Sequence, residues 1–536
     1  MWVPYIHCVG FCIVYSVAKV FLGPQLASKQ KRNPRFLFLI LSIASVSNVK
    51  ESFVELIIRT MNIMKESILW RNTMYALWTM ITLTCAFFIV YDAQWLLGDD
   101  AIVMRFIGWG NFFSASHTIC PESGRFFPFS YLMYNLLPCF LSGQISATAV
   151  YAYQAIWFIV FAWMSFYLVQ EMLKEYSAKW RYGIALCTTI FLIGRYYPGF
   201  INCYSTSWFG AVLNVATILF ANKFYTTKKW FYGLLSLSIL IWMTYCSEVS
   251  FVVPLAWGVC ALPLWKESTK NERVFHLSLI ANAFVFLVIY FFAVYLKTVS
   301  SYDGAHGEEV TLFGNAIKIL MAQKFLWVVM LLFGIRVWDI CRNSKEYTIY
   351  DVLILVAAAH CLGGFILKLN WVLYYNRAIV IALPAVIYFA TKYTHQYVLF
   401  ILMALFAAFY GAKVPKNIQK IREDRNSTFE FVDAVVRAQQ ETKYSIYLFS
   451  VAETDTSYDG ELIRWLYDSF ETYYGYAIAS REVHLQRVDE YNGVGIYITV
   501  DRNDVIVPNS NERIIQRATT VISSNTMRNM GAWILE

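Results

Sequence analysis

The sequence predicts a polytopic α-helical membrane protein of about eleven spans, followed by a small extracytoplasmic α/β domain. Three observations lead there. Of 536 residues, 58% are hydrophobic and only 15% charged, well under the quarter or so that soluble domains keep charged. Mainly apolar windows recur between short polar breaks. Lys and Arg gather on alternate breaks, as the positive-inside bias requires.

The expected spans are 74–91, 147–170, 182–195, 207–224, 230–246, 250–265, 275–296, 321–336, 351–368, 377–391 and 396–411. Several are short for a hydrocarbon core of about 30 Å, which implies tilt or re-entrant pieces. Aromatic residues reach 18%, and many Tyr and Trp stand at segment ends, where interfacial rings are favoured.

One set of alternate breaks carries Lys174, Lys179 and Arg181; Lys223, Lys228 and Lys229; Lys266, Lys270 and Arg273; and Arg336, Arg342 and Lys345. Lys65 and Arg71 precede the first span on the same side. The opposite breaks hold only scattered bases, among them Arg105, Arg125, Arg195, Lys297 and Arg377. The clustered set is therefore expected in the cytoplasm, and loop 92–146, loop 297–320 and everything after 412 outside.

Residues 1–64 fit this scheme poorly and are read as an uncertain N-terminal extension. Either translation starts near Met61 or Met64, or the stretch is an interfacial or signal-like segment. The membrane module is 65–411. Residues 412–536 form the outer domain, about 120 residues and ordinary in size. Within it, 416–442 has a helical pattern, 444–451 alternates like a strand, 460–474 reads as an amphipathic helix, and 483–488, 495–500 and 504–507 as short strands.

Several function classes find no support. No basic block exceeds Gln30–Arg32, so nucleic acid is not an expected partner. There is no Walker loop, no GxGxxG after a strand and no GxSxG elbow. The eleven cysteines are scattered without CxxC or Cys/His ligand spacing, and none follows Gly411. Asp303, His306, Glu308 and Glu309 share one loop whose donors would suit a divalent ion, but without fixed spacing it reads as a flexible loop. No cofactor is expected. Asn426 opens a lone glycosylation sequon.

Gly98-Asp99-Asp100 follows the first span within about two helical turns. An amphipathic stretch, Ala101–Phe113, comes next, and then Glu122-Ser123-Gly124-Arg125-Phe126-Phe127. A carboxylate at the outer interface suits general-base removal of a proton from an acceptor hydroxyl. This order of features over 74–536 resembles the membrane glycosyltransferases of the GT-C fold. The resemblance implies a polyprenyl-phosphate-linked sugar as donor and a glycan, lipid-linked glycan or protein as acceptor. It also implies a membrane-embedded, mostly inverting enzyme, and it favours a bacterial inner membrane. Asp100 or Asp99 would be the base, Asp100 preferred.

On this resemblance, outer arginines would hold the departing lipid phosphate, since a guanidinium offers forked, permanently charged donors. Arg377, Arg195 and Arg125 are the candidates. Tyr196, Tyr204, Tyr374 and Tyr375 are read either as sugar-stacking rings or as an aromatic belt. Glu122 is a candidate acceptor contact, and Glu248, an ionisable group costly to keep so near the bilayer, is read as an acceptor contact, a partner that orders an arginine, or a structural ion pair. Two other classes stay open: a flippase or transporter of a lipid-linked saccharide, against which no inverted repeat is visible, and a polysaccharide polymerase or ligase.

Overall fold

The computed structural model describes residues 68–94, 119–120, 125–129, 146–201, 205–246, 250–297, 312–343, 346–366, 372–450, 483–485, 494–501, 513–523 and 526–535. Each of the eleven expected windows overlaps a helix, the window 321–336 being divided between two. The helices are α1 (Ile68–Val90), α2 (Ala147–Met172), α3 (Ala178–Phe200), α4 (Ser205–Thr227), α5 (Trp230–Thr244), α6 (Val252–Cys260), α7 (Lys270–Ala293), α9 (Phe325–Asn343), α10 (Ile349–Ile366), α11 (Val372–Tyr393) and α12 (Gln396–Gly411). A further helix, α8 (Leu312–Ala322), precedes α9, and α13 (Val414–Thr442) follows α12. The expectation for residues 1–64 lies outside the described residues.

By length and composition, four described helices are each sufficient to cross a membrane: Arg71–Val90, Ala147–Met172, Lys270–Lys297 and the apolar part of Gln396–Thr442. Ala316–Ala322 and Phe325–Arg342 meet at a 109° bend and make a fifth if taken as one span. Trp230–Thr244, Val252–Leu264 and Ile349–Phe365 are apolar but shorter. The helices divide by what they face. α7 turns Phe284 and Phe292 outward, 65% and 64% exposed, as a bilayer-facing helix does. α3 and α11, which carry arginines, lie inside, with runs such as Ala378–Val386 almost wholly buried.

The tightest helix pairing is between α3 and α12. It depends on Gly194, because a Cβ there would sit 2.4 Å from the Tyr410 carbonyl oxygen and 2.9 Å from the Gly411 nitrogen. Phe191, Phe325, Phe406 and Tyr410 fill the space alongside.

The two ends of the bundle differ in how charge is treated. At the end with clustered bases, three cations carry carboxylate partners. Lys223 pairs with Glu171 at 2.9 Å and Lys228 with Glu272 at 2.6 Å. Arg336 pairs with Asp351 at 2.7 Å and also reaches Tyr393 at 2.8 Å. Glu272 further closes a capping box with Thr269 at the start of α7. At the other end the helices terminate on arginine from α13. Arg425 is fully buried and donates to the Ile201 carbonyl at 3.1 Å and the Ile89 carbonyl at 3.5 Å, with its guanidinium 4.0 Å from the Tyr151 ring centroid. These are last-turn carbonyls of α3 and α1, which helix geometry leaves without partners. Arg422 adds a 2.5 Å ion pair to Asp92, whose φ of 54° is left-handed.

The C-terminal part contributes the strands β3 (Ile446–Ser450), β4 (Val483–Leu485), β5 (Gly495–Asp501), β6 (Arg513–Ser523) and β7 (Thr526–Leu535). They form a mixed five-stranded sheet in the order β4-β3-β5-β7-β6. β3 runs parallel to β4 and β5, while β7 is antiparallel to β5 and β6. α13 packs on β6. The expected strands at 444–451, 483–488 and 495–500 correspond to β3, β4 and β5. The helix at 460–474 and the strand at 504–507 lie outside the described residues.

Gly194→Ala should lower stability by about 1–3 kcal/mol, the usual cost of an overpacked contact, seen as an earlier midpoint in detergent unfolding. An unchanged midpoint would show that α3 and α12 part without penalty.

Candidate functional site

Two arginines meet at the end of the bundle away from the clustered bases. Arg195 stands near the C-terminal end of α3, a few residues before Pro198, which cannot donate to the helical ladder. Arg377 stands near the start of α11. They are 8% and 6% exposed. Asn376, which precedes Arg377 in α11, is fully buried. Its Oδ1 accepts from Arg195 Nη2 at 2.8 Å and Nε at 3.2 Å. Its backbone carbonyl accepts from the Tyr196 hydroxyl at 2.6 Å. Asn376 thus locks α11 to α3 at the position next in the chain to Arg377.

The arginines face different neighbours. Arg377 Nη1 donates to Ser250 Oγ, just before α6, and its guanidinium lies against Gly210 of α4. Arg195 faces the bend between α8 and α9 and the end of α12. It donates to Gln323 Oε1, and its guanidinium lies 4.7 Å from the Tyr410 ring centroid. Two lysines share the same aromatic pair. Lys324 Nζ is 4.3 Å from the Phe409 centroid. Lys413 Nζ is 4.7 Å from Phe409 and 5.0 Å from Tyr410. Burial, and after it repulsion from Arg195 and Lys324, hold the Lys413 ammonium below the ordinary lysine value. The buried Tyr410 hydroxyl has no hydrogen-bond partner among the described residues.

Among the described residues, no carboxylate forms an ion pair with Arg195, Arg377, Lys324 or Lys413. Their acceptors are neutral amide and hydroxyl oxygens and aromatic faces. Amide oxygens satisfy the donor geometry of a guanidinium and leave its charge in place.

The remaining sequence candidates divide by position. Arg125 lies in β2 (Arg125–Phe126), paired antiparallel with β1 (Ile119–Cys120) in the register Cys120 to Arg125. This hairpin is seated on the end of α5 and on α7. Phe126 packs on Tyr245, Phe286 and Tyr290, and the Phe129 nitrogen donates to the Tyr245 carbonyl at 3.1 Å, five residues before Ser250. Tyr196 and Tyr375 are buried with their rings against Phe161 and Phe365. Tyr374 lies in the first turn of α11. Asp99, Asp100, Glu122, Tyr204 and Glu248 lie outside the described residues, as does the Asp303–Glu309 loop. Among the described residues, no group of three or more His, Cys, Asp or Glu is placed to share a metal ion. The sequence reading did not single out Asn376, Gln323, Lys324 or Lys413.

No protein-family model and no curated protein matches the chain. Among solved structures, the fold is similar to that of ArnT from Cupriavidus metallidurans in the apo state, with a TM-score of 0.49 and 11% identity over 86% of this chain and 98% of that one. The structure of ArnT from the same organism bound to undecaprenyl phosphate is similar at a TM-score of 0.46 and 12% identity, over 85% and 97% of the two chains.

Asn376→Leu should destabilise the protein by about 2–3 kcal/mol, because it removes the acceptor of two charged hydrogen bonds and strands Arg195. Asn376→Asp keeps the acceptor and should retain stability in a detergent melt. If the leucine variant melts like the parent, Asn376 is not the link between α3 and α11.

Proposed function

We propose that the chain is a membrane glycosyltransferase of the GT-C type, with eleven spans, acting at the extracytoplasmic face. It moves a sugar from a polyprenyl-phosphate donor to a hydroxyl of a glycan, a lipid-linked glycan or a protein. The observation that carries the reading is two buried, carboxylate-free guanidiniums: Arg195, held by Asn376 of α11, and Arg377, the next residue of that helix. Fixed positive charge in a low-dielectric setting is costly unless an anion uses it, and it stabilises charge that builds on a leaving group. A flippase also needs to hold a lipid phosphate; transfer is favoured because Gly98-Asp99-Asp100 supplies a candidate base on the same side.

In this mechanism the acceptor hydroxyl oxygen attacks the anomeric carbon, and its proton passes to the carboxylate of Asp100 or Asp99. The bond from the anomeric carbon to the phosphate oxygen breaks, and its electron pair stays on the phosphate. Arg377 and Arg195 hold that group, and Arg125, in the hairpin seated at Tyr245, approaches from the loop. A single displacement inverts the anomeric centre. Glu248, close in sequence to Ser250, and Glu122 would orient the acceptor, and Tyr204 and Tyr374 would border the sugar. Tyr196 and Tyr375 serve packing, given their ring contacts.

Purified protein supplied with radiolabelled polyprenyl-phosphate sugars and candidate acceptors tests the reading. Asp99→Asn and Asp100→Asn, assayed singly, should leave one variant reduced by about 10²–10⁴-fold, the usual weight of a general base, with folding retained. Arg377→Gln should lower transfer at least as steeply as it lowers donor binding. Full activity in both aspartate variants, with lipid scrambling intact, would replace the enzyme by a flippase.

A further inference from the structure

The proposed transfer changes the charge on the lipid carrier. The donor is a phosphodiester with one negative charge. Once its bond to sugar breaks, the carrier is a phosphomonoester with about −1.5 to −2 at neutral pH. A site that takes both species equally gains nothing from the change. A site with surplus positive charge favours the product and the transition state leading to it.

Arg195, Lys324 and Lys413 supply such a surplus. They come from three places in the chain, α3, the α8–α9 bend and the turn after α12, and converge on Phe409 and Tyr410. Arg195 is buried, whereas both lysines are exposed, so the charge runs from the interior to the surface. An aromatic face offsets a cation by about 0.5–1 kcal/mol at an exposed position and leaves the formal charge unchanged. Snorkelling accounts for one lysine at a span end. It does not account for two ammonium groups on one ring beside a buried guanidinium. From Lys324, α9 carries Trp327, Met330, Leu331 and Trp338 outward, all at least half exposed. An apolar chain attached to a phosphate at the cluster would lie along that face.

We infer that Arg195, Lys324 and Lys413 form a binding site for the phosphomonoester of the spent polyprenyl carrier, selective for it over the diester donor. This rests on the proposed transfer, and it separates the roles of the two arginines. Arg377, with Ser250, serves the donor phosphate as it stands before reaction. Arg195 and the two lysines take up the second charge as it appears. Lys324 and Lys413 are carrier-binding residues outside the proton-transfer step.

The test is equilibrium binding to the full-length protein in detergent, with farnesyl monophosphate, its methyl diester, farnesol and inorganic phosphate as probes. The monoester should bind at least about tenfold more tightly than the diester, as expected for added charged hydrogen bonds. Farnesol and inorganic phosphate should bind at least about tenfold more weakly than the monoester, the first for want of charge and the second for want of a chain. Lys324→Gln and Lys413→Gln should each narrow the preference for the monoester, and together abolish it, while diester binding holds. Both lysines are exposed, so both variants should keep the parental elution volume and melting midpoint. Equal binding of monoester and diester overturns the inference, as does a preference that survives the double substitution. Inorganic phosphate binding as tightly as farnesyl monophosphate overturns the lipid assignment. Failure of all sugar transfer with the charge preference intact would defeat the glycosyltransferase reading alone.

Discussion

A guanidinium cannot shed its charge at any pH a protein survives, so placing Arg195 inside an apolar bundle forces the surrounding residues to supply acceptors. The acceptors are the side-chain oxygens of Asn376 and Gln323. A carboxylate would have met the same geometry and cancelled the charge. The amides meet the geometry and keep it. The α3–α11 junction, the position of Arg377 and the approach of the α8–α9 bend all follow from that choice.

The opposite end of the same helices shows the alternative. Lys223, Lys228 and Arg336 each have a carboxylate partner, and the Arg336 network is buried and closed by Tyr393. Those groups hold helix ends together and present little net field. Arg195 and Arg377 differ from these in keeping their charge, because their acceptors are neutral oxygens.

Much of the helical architecture was legible because bilayer helices must be long and apolar, and each hydropathy window overlaps a helix, although four or five described helices alone are long and apolar enough to cross a membrane. The helices extend past the windows where polar residues enter the buried interior, as at Arg195, Tyr196 and Tyr197 in α3. The hydropathy rule scores such residues as boundaries. Arg195 and Arg377 were visible as charges in unlikely places. Asn376 and Gln323 were not, since a neutral amide has no pattern, and neither were Lys324 and Lys413, since a lysine ending a span reads as an anchor. Their relation to Arg195 is created only by packing. The strands β6 and β7 were missed for a related reason: Arg513, Gln516, Arg517, Thr519 and Thr520 break the alternation that a half-buried strand would display.

The buried arginine of α13 has a bearing on biogenesis. A chain is made from its N-terminus, and early segments settle while later ones are still on the ribosome. α1 and α3 can enter the bilayer long before residue 425 exists, yet the carbonyl groups that finish them, at Ile89 and Ile201, receive their donor from Arg425. Until that residue arrives, those carbonyls must borrow water or headgroup donors. The ends of α1 and α3 are thus completed by a residue made after the rest of the bundle, and a chain halted before α13 would carry both helices with these carbonyls still lacking their protein donor.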